Sequence, residues 1–247
     1  MGSTFMFMLA VLLLMTGTIG GVRAAPQIFN PDFAYSGVEL DEIGITLREN
    51  GEDVASRDYN RDSHAFVTSG GSLLTNMLTA TDGKVRLGWP YTEALTVYNS
   101  GEISEYVRVT IYKYWTDKYG NKYYGIPNDL IKLNLVTGNG WVIDDRENSS
   151  TSERTVLYYQ SAVAKGVETK PFTDLLTIDN RVIDYVDIQT TTYGKTVTWV
   201  ADGKTFQIEV EADGVQDHNA RAAMKSAWGL TNADISRLGL NVPADDN

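Results

Sequence analysis

The residues that could carry chemistry are few and poorly grouped. Two histidines, His64 and His218, stand far apart in the chain, and neither belongs to an H-E-x-x-H pattern, so the helical zinc-protease arrangement is absent. There are no cysteines, which removes thiol nucleophiles and thiolate-held zinc. No G-x-S-x-G or S-x-x-K stretch presents a serine to a base, and no glycine-rich loop offers to cradle a phosphate. Asp82, Asp202 and Asp213 each precede a glycine without the Ser or Thr of an aspartic-protease loop, and they read as turns. Any two acids converging in space could hydrolyse a sugar, but nothing singles out a pair. Asp58-x-Asn60-x-Asp62 places three oxygen-bearing side chains at alternate positions, as in the opening of a calcium loop. Ser63 stands where such a loop needs glycine, and Ser69 where it needs its closing glutamate. Calcium on Asp58, Asn60 and Asp62 is therefore set against a solvated acidic turn. Asp144, Asp145 and Glu147 form a weaker grouping of the same sort.

The elements that would position these residues are mainly strands. Ile43, Ile45 and Leu47 alternate with polar residues, and Asn50-Gly51 turns the chain toward Glu52–Tyr59, which predicts a hairpin. Leu95 and Val97 share a face. In Tyr106–Trp115, Val107, Val109, Ile111 and Trp115 point one way, while Tyr106, Arg108, Thr110, Tyr112 and Tyr114 form a wetter side. Gly120-Asn121 turns the chain back toward Tyr123. Trp141–Asp144, Thr155–Tyr159 and Phe172–Ile178 read as further strands, and Thr196–Val200 and Thr205–Ala212 as a last hairpin through residues 201–204. One or two helical turns are expected in Pro127–Leu133, and a helix in Asp217–Trp228 stopped by Gly229. The expectation is an all-β fold, an antiparallel jelly-roll-like β-sandwich with a short C-terminal helix.

The 247 residues carry a formal net charge of −11, which repels nucleic acid and anionic lipid, so neither is an expected partner. The apolar run Phe5–Met15 is too short to span a bilayer but has the length of a signal-peptide core, and Val22-x-Ala24 is a small-residue cleavage site. Residues 1–24 thus read as a signal peptide cut between Ala24 and Ala25, leaving a secreted chain with no stable membrane anchor. Residues 25–36 form an N-terminal segment, 37–229 a sandwich domain, and 230–247 a tail with no wall-sorting motif.

Gly20-Gly21-Val22-Arg23-Ala24-Ala25 resembles the end of signal peptides cut by the SipW-type signal peptidase. Phe33-Ala34-Tyr35-Ser36-Gly37-Val38-Glu39-Leu40 is similar to the opening of mature TasA- and camelysin-type proteins. Leu95–Ile103, with its Asn99-x-Gly101 junction, and Tyr106–Ile111 continue the likeness, which is loose elsewhere. This resemblance to the TasA/camelysin-like family of exported Gram-positive proteins implies a jelly roll and a non-enzymatic subunit of extracellular matrix (biofilm) fibres. It also implies a SipW-type peptidase, further copies of this chain and a minor anchoring subunit as partners, with no cofactor. In that family the N-terminal segment inserts as a strand into the next subunit. The donor here would be Ala25–Tyr35, anchored by Ile28, Phe29 and Phe33, with Pro26 and Pro31 unable to donate ladder bonds. Two rival readings follow: a camelysin-type surface metalloprotease, and a glycan- or protein-binding sandwich using Tyr106, Tyr112 and Tyr114.

Overall fold

Strand β6 (Glu105–Thr116) organises the molecule in this computed structural model, which describes residues 43–74, 77, 81, 85–146, 152–191, 194–201 and 203–243. Ahead of β6 the chain forms β1 (Gly44–Glu49), β2 (Glu52–Asn60), β3 (Ala65–Ser69), β4 (Tyr91–Thr92) and β5 (Leu95–Asn99). After it come β7 (Lys122–Tyr123), β8 (Ile131–Leu135), β9 (Trp141–Ile143), β10 (Arg154–Tyr159), β11 (Thr173–Ile178), β12 (Val186–Thr191), β13 (Gly194–Trp199) and β14 (Thr205–Gln216). Helices α1 (Ala220–Trp228) and α2 (Asn232–Arg237) follow.

All sheets are antiparallel. The first has the order β3-β2-β1-β5, and the second β14-β6-β10-β9 with β7 added to β6. A third sheet, β4-β11-β8, lies beside the first, because β5 bonds to the segment leading into β11. Pro171 cannot donate there, and the hydroxyls of Thr169 and Thr173 accept the N–H groups of Val97 and Leu95 at 3.0 and 3.1 Å. Between the sheets lies the main core. Ile45, Leu47, Leu95 and Val97 meet Val107, Val109, Ile111 and Trp115, joined by Leu157, Phe172 and Trp141, whose indole N–H donates to the carbonyl of Lys170 at 2.7 Å. The fold is an all-β sandwich with short C-terminal helices. Residues 41–247 make up one compact unit.

The β1–β2 hairpin forms through Asn50 and Gly51, both with positive φ, as the Asn-Gly pair predicts. The inward set of β6 is buried as expected, but its other face is drier than the alternation implies. Tyr106 and Thr110 are buried, because α1, α2 and the chain after them cover that side of the sheet. Val156, Tyr158 and Val215 pack there against Met224, Leu230, Ile235, Leu238, Leu240 and Val242. The supposed tail from residue 230 is thus a third layer. Gly229 closes α1 with φ 71°, and Thr231 opens α2 in a reciprocal cap with Asp234. The Tyr106 hydroxyl donates to the carbonyl of Asn241 at 2.5 Å, and Arg237 holds the buried Asp144 at 2.8 Å.

The last hairpin is paired differently from the expectation. β13 pairs with β12, Thr191 opposite Gly194, which leaves a two-residue connection. β14 runs instead along the whole of β6, from Thr205 opposite Thr116 to Gln216 opposite Glu105. Residues 201–204 still turn, with Lys204 N–H donating to Ala201 at 3.1 Å, but they join two sheets. A twelve-residue ladder that also buries Ile208 and Val215 outweighs a local pairing. Asp213-Gly214, read as a turn, lies inside β14 for the same reason. Residues 128–130 form a single 3-10 turn that passes directly into β8.

If the segment after Gly229 is structural, Leu238→Ala, at a position 1% exposed, should lower unfolding free energy by about 2–5 kcal/mol in urea titration. A free tail would show no change.

Candidate strand-accepting groove

Strand β14 ends the second sheet, and among the described residues its outer edge pairs with nothing. That edge faces β1, β2 and β3 of the first sheet. Three cavities that share walls run along it. The middle one, about 520 Å³, lies between Ile45, Leu47, Ala55 and Phe66 on one side and Val210–Asp213 on the other. A second of about 310 Å³ continues toward Phe206, beside Val54, Leu73 and Leu74. The third, about 270 Å³, continues toward Gly214, Ile43 and Trp228. Consecutive residues of β14 line them, so the groove follows the strand's edge and not one of its faces. Nine residues at about 3.3 Å each make it roughly 30 Å long.

The alternation of β1 supplies the apolar floor, since Ile45 and Leu47 turn inward and stand opposite Arg57 and Ala55 of β2. β3 forms the far wall as an exposed edge strand, with Phe66 and Val67 about half exposed. One end of the groove is spanned by charge. Arg108 holds Asp213 at 2.7 Å, Arg57 approaches the same carboxylate at 3.8 Å, and the Arg57 guanidinium lies 4.6 Å over the Phe66 ring.

Two carboxyls are buried in the sandwich without lining the cavities, and the sequence reading singled out neither. Glu105 is fully buried behind Ile45 and Gly214. Its Oε1 accepts the N–H of Gly44 at 2.8 Å, while Oε2 has no partner. A Cβ at Gly214 would come within 2.3 Å of Oε2, so a larger residue there would force the Glu105 carboxyl to shift. Burial pushes the Glu105 carboxyl up to about 7; the Gly44 N–H opposes the shift and the charge of Asp58 adds to it. Glu93, 1% exposed, shares a hydrogen bond with Glu49, and its Oε1 has no partner among the described residues. Burial, then the charge of Glu49, raises Glu93 well above the usual carboxylate range. Glu49 in turn accepts the N–H of Leu74 at 2.6 Å. Leu74 lines the groove in a left-handed conformation, φ 64°, which costs a branched residue about 1–2 kcal/mol.

The residues singled out by sequence are spread elsewhere. Asp58 and Asn60 lie on β2, where Asp58 accepts the hydroxyl of Ser100 at 2.5 Å, and Asn60 accepts the backbone N–H of Ser63 at 2.8 Å. Asp62 is in the exposed turn after them, and His64 closes that turn with φ 49°. His218 is exposed just ahead of α1. Among the described residues no three His, Asp or Glu side chains converge as a metal site would require. Ala24, Ala25, Ile28, Phe29 and Phe33 lie outside the described residues. No described helix is long and apolar enough to cross a membrane.

A carboxyl raised on folding stabilises the native state fully below its unfolded pKa, and that contribution is lost as pH rises to the folded value. For Glu105 the window runs from about 4.5 to about 7 and is worth about 3 kcal/mol. Urea unfolding over that range should show the loss in the native chain and a shallower slope in Glu105→Gln; equal slopes would remove the assignment. No family model matches the chain, and no curated protein or solved structure does either.

Proposed function

We propose that this protein is an exported structural subunit that polymerises by strand addition, as its resemblance to TasA-like fibre proteins implies. The groove along β14 is the acceptor and Ala25–Tyr35 of a second copy the donor. The observation that carries this is the outer edge of β14, which has no strand partner among the described residues, above an apolar floor. Bare N–H and C=O groups in such a groove are satisfied by one added strand, whose alternate side chains reach Ile45, Leu47 and Ala55. The donor's eleven residues are enough to cover the nine of the acceptor edge, and Phe29 and Phe33, which share one face of an extended strand, are apolar enough to fill it. The donor precedes Ile43 in sequence, and Ile43 lines one end of the groove. A head-to-tail contact of this kind does not close on itself and propagates as a filament. Extracellular matrix is the place for it, and cleavage after Ala24 frees the donor.

The binding-module reading loses part of its surface. Tyr106 is buried under the helical layer, and the Tyr114 hydroxyl is engaged with Glu209.

Negative-stain microscopy separates the outcomes. The chain starting at Ala25 should form filaments and the chain starting at Gly37 only monomers. Filaments from both would place the contact elsewhere, and monomers from both would end the fibre reading. Ala55→Trp, which fills the groove from β2, should block assembly by the Ala25 chain while leaving its melting curve cooperative.

A further inference from the structure

The groove along β14 is electrically lopsided. At its Gly214 end two guanidinium groups, Arg57 of β2 and Arg108 of β6, face one carboxylate, Asp213, so the three side chains together are positive. Arg108 gives Asp213 two N–H groups, at 2.7 and 3.3 Å. Arg57 stands 3.8 Å from the same carboxylate and is half exposed. Further along β14 come Glu211 and Glu209, the second of which accepts the Tyr114 hydroxyl. Among the described residues no lysine or arginine lines the cavity at the Phe206 end. A strand with a positive start and a negative finish fits such a groove in one direction only.

Residues 25–35, cut after Ala24, make such a strand. The segment carries two charges at pH 7, the α-amino group of Ala25 and the carboxylate of Asp32. Asp32 stands seven residues after Ala25, and Asp213 stands seven after Phe206, about 23 Å in either strand. A donor lying parallel to β14 with Ala25 beside Phe206 therefore brings Asp32 beside Asp213. The apolar pattern agrees with that register. Phe29 falls beside Val210, at the middle cavity, and Phe33 beside Gly214, at the cavity of Ile43, Ile45 and Trp228. Gly214 faces Ile45, so Asp213 and a neighbouring Asp32 share the opposite face, from which Arg108 reaches. In the reverse direction Asp32 comes beside Gln207, next to Glu209, and the α-amino group meets the arginines. Pro26 and Pro31 stand on opposite edges of an extended strand, so one ladder bond is lost either way and the charges decide.

We propose that Arg57 and Arg108 set the direction of the incoming strand: they take the Asp32 carboxylate of a second copy, whose residues 25–35 then run parallel to β14 with Asp32 beside Asp213. The inference rests on the strand-accepting reading and adds the partner's polarity and register. Two guanidinium groups and two carboxylates balance once Asp32 arrives. Arg57 is the mobile member, because its contact with Asp213 is long and its guanidinium rests over the Phe66 ring at the rim of the groove. Arg108 is the fixed one, held by Asp213 and lying 5.6 Å over the ring of Trp228. A charge-assisted pair at one end of an otherwise apolar groove fixes register, which apolar contacts alone leave free to slip by two residues.

The test uses the chain starting at Gly37, which keeps the whole of the 41–247 unit and lacks its own donor. The probe is a synthetic peptide of residues 25–35 with a free α-amino group and an amidated end, followed by tryptophan fluorescence at pH 7. Asp32→Asn in the peptide should raise the dissociation constant about tenfold, and so should Arg57→Glu in the chain. Asp32→Lys in the peptide should restore about fivefold of the affinity lost in Arg57→Glu, a rescue that a merely structural role for Arg57 would not give. Direction is read on the native chain, whatever the variant's folding. A peptide with photoreactive benzoylphenylalanine in place of Phe33 should cross-link to residues 43–45 or to Trp228. Cross-links to Leu73, Leu74 or Phe206 would overturn the proposal and leave the acceptor groove standing. Binding indifferent to Asp32→Asn would do the same. No binding of the native peptide would overturn the acceptor reading itself, and this inference with it.

Discussion

The ladder between β6 and β14 is the constraint on which the rest depends. It holds twelve residues in register and gives β6 two buried faces, the sandwich core on one side and the helical layer on the other. Because β14 has spent one edge on β6, its other edge is committed to facing the β1-β2-β3 sheet. The groove is therefore not a surface accident. It lies between β14 and the β1-β2-β3 strands, and its apolar floor follows from the alternation of β1.

Local signals were legible where they were strong. Asn50-Gly51 marked its hairpin, the apolar alternation of β6 marked the core, and Gly229 marked the end of α1. Pairing between distant segments was not legible. Residues 196–212 read as a hairpin because two strands flank a turn, and nothing local says that β14 prefers a partner about a hundred residues earlier. Tyr106 and Thr110 looked wet because polar alternation cannot report a helix that returns to cover the sheet. That helix had a signal, Thr231 with Asp234 followed by Ile235 and Leu238, spaced as a capped amphipathic turn.

The site was less legible than the fold. Sequence reasoning looked for clustered acids and histidines, and those it found lie in turns and on β2. The two carboxyls that matter physically, Glu93 and Glu105, are unremarkable in sequence, one shortly ahead of β5 and the other the first residue of β6. Only burial distinguishes them, and burial is a property of the assembled sandwich. Their cost to stability is real, since an acid without a donor inside a core destabilises it.

The segment 230–243 is held without any covalent tie. Arg221 clasps the carbonyls of Val242 and Pro243, Tyr106 clasps that of Asn241, and Gln160 clasps that of Leu238. In a chain without cysteine this clasp does what a disulfide does in domains that carry one. Unlike a disulfide, it contains nothing a reductant can cleave. The outer layer should therefore keep its hold in reducing and oxidising surroundings alike, and it hides the backbone of this segment from proteases that need an extended strand.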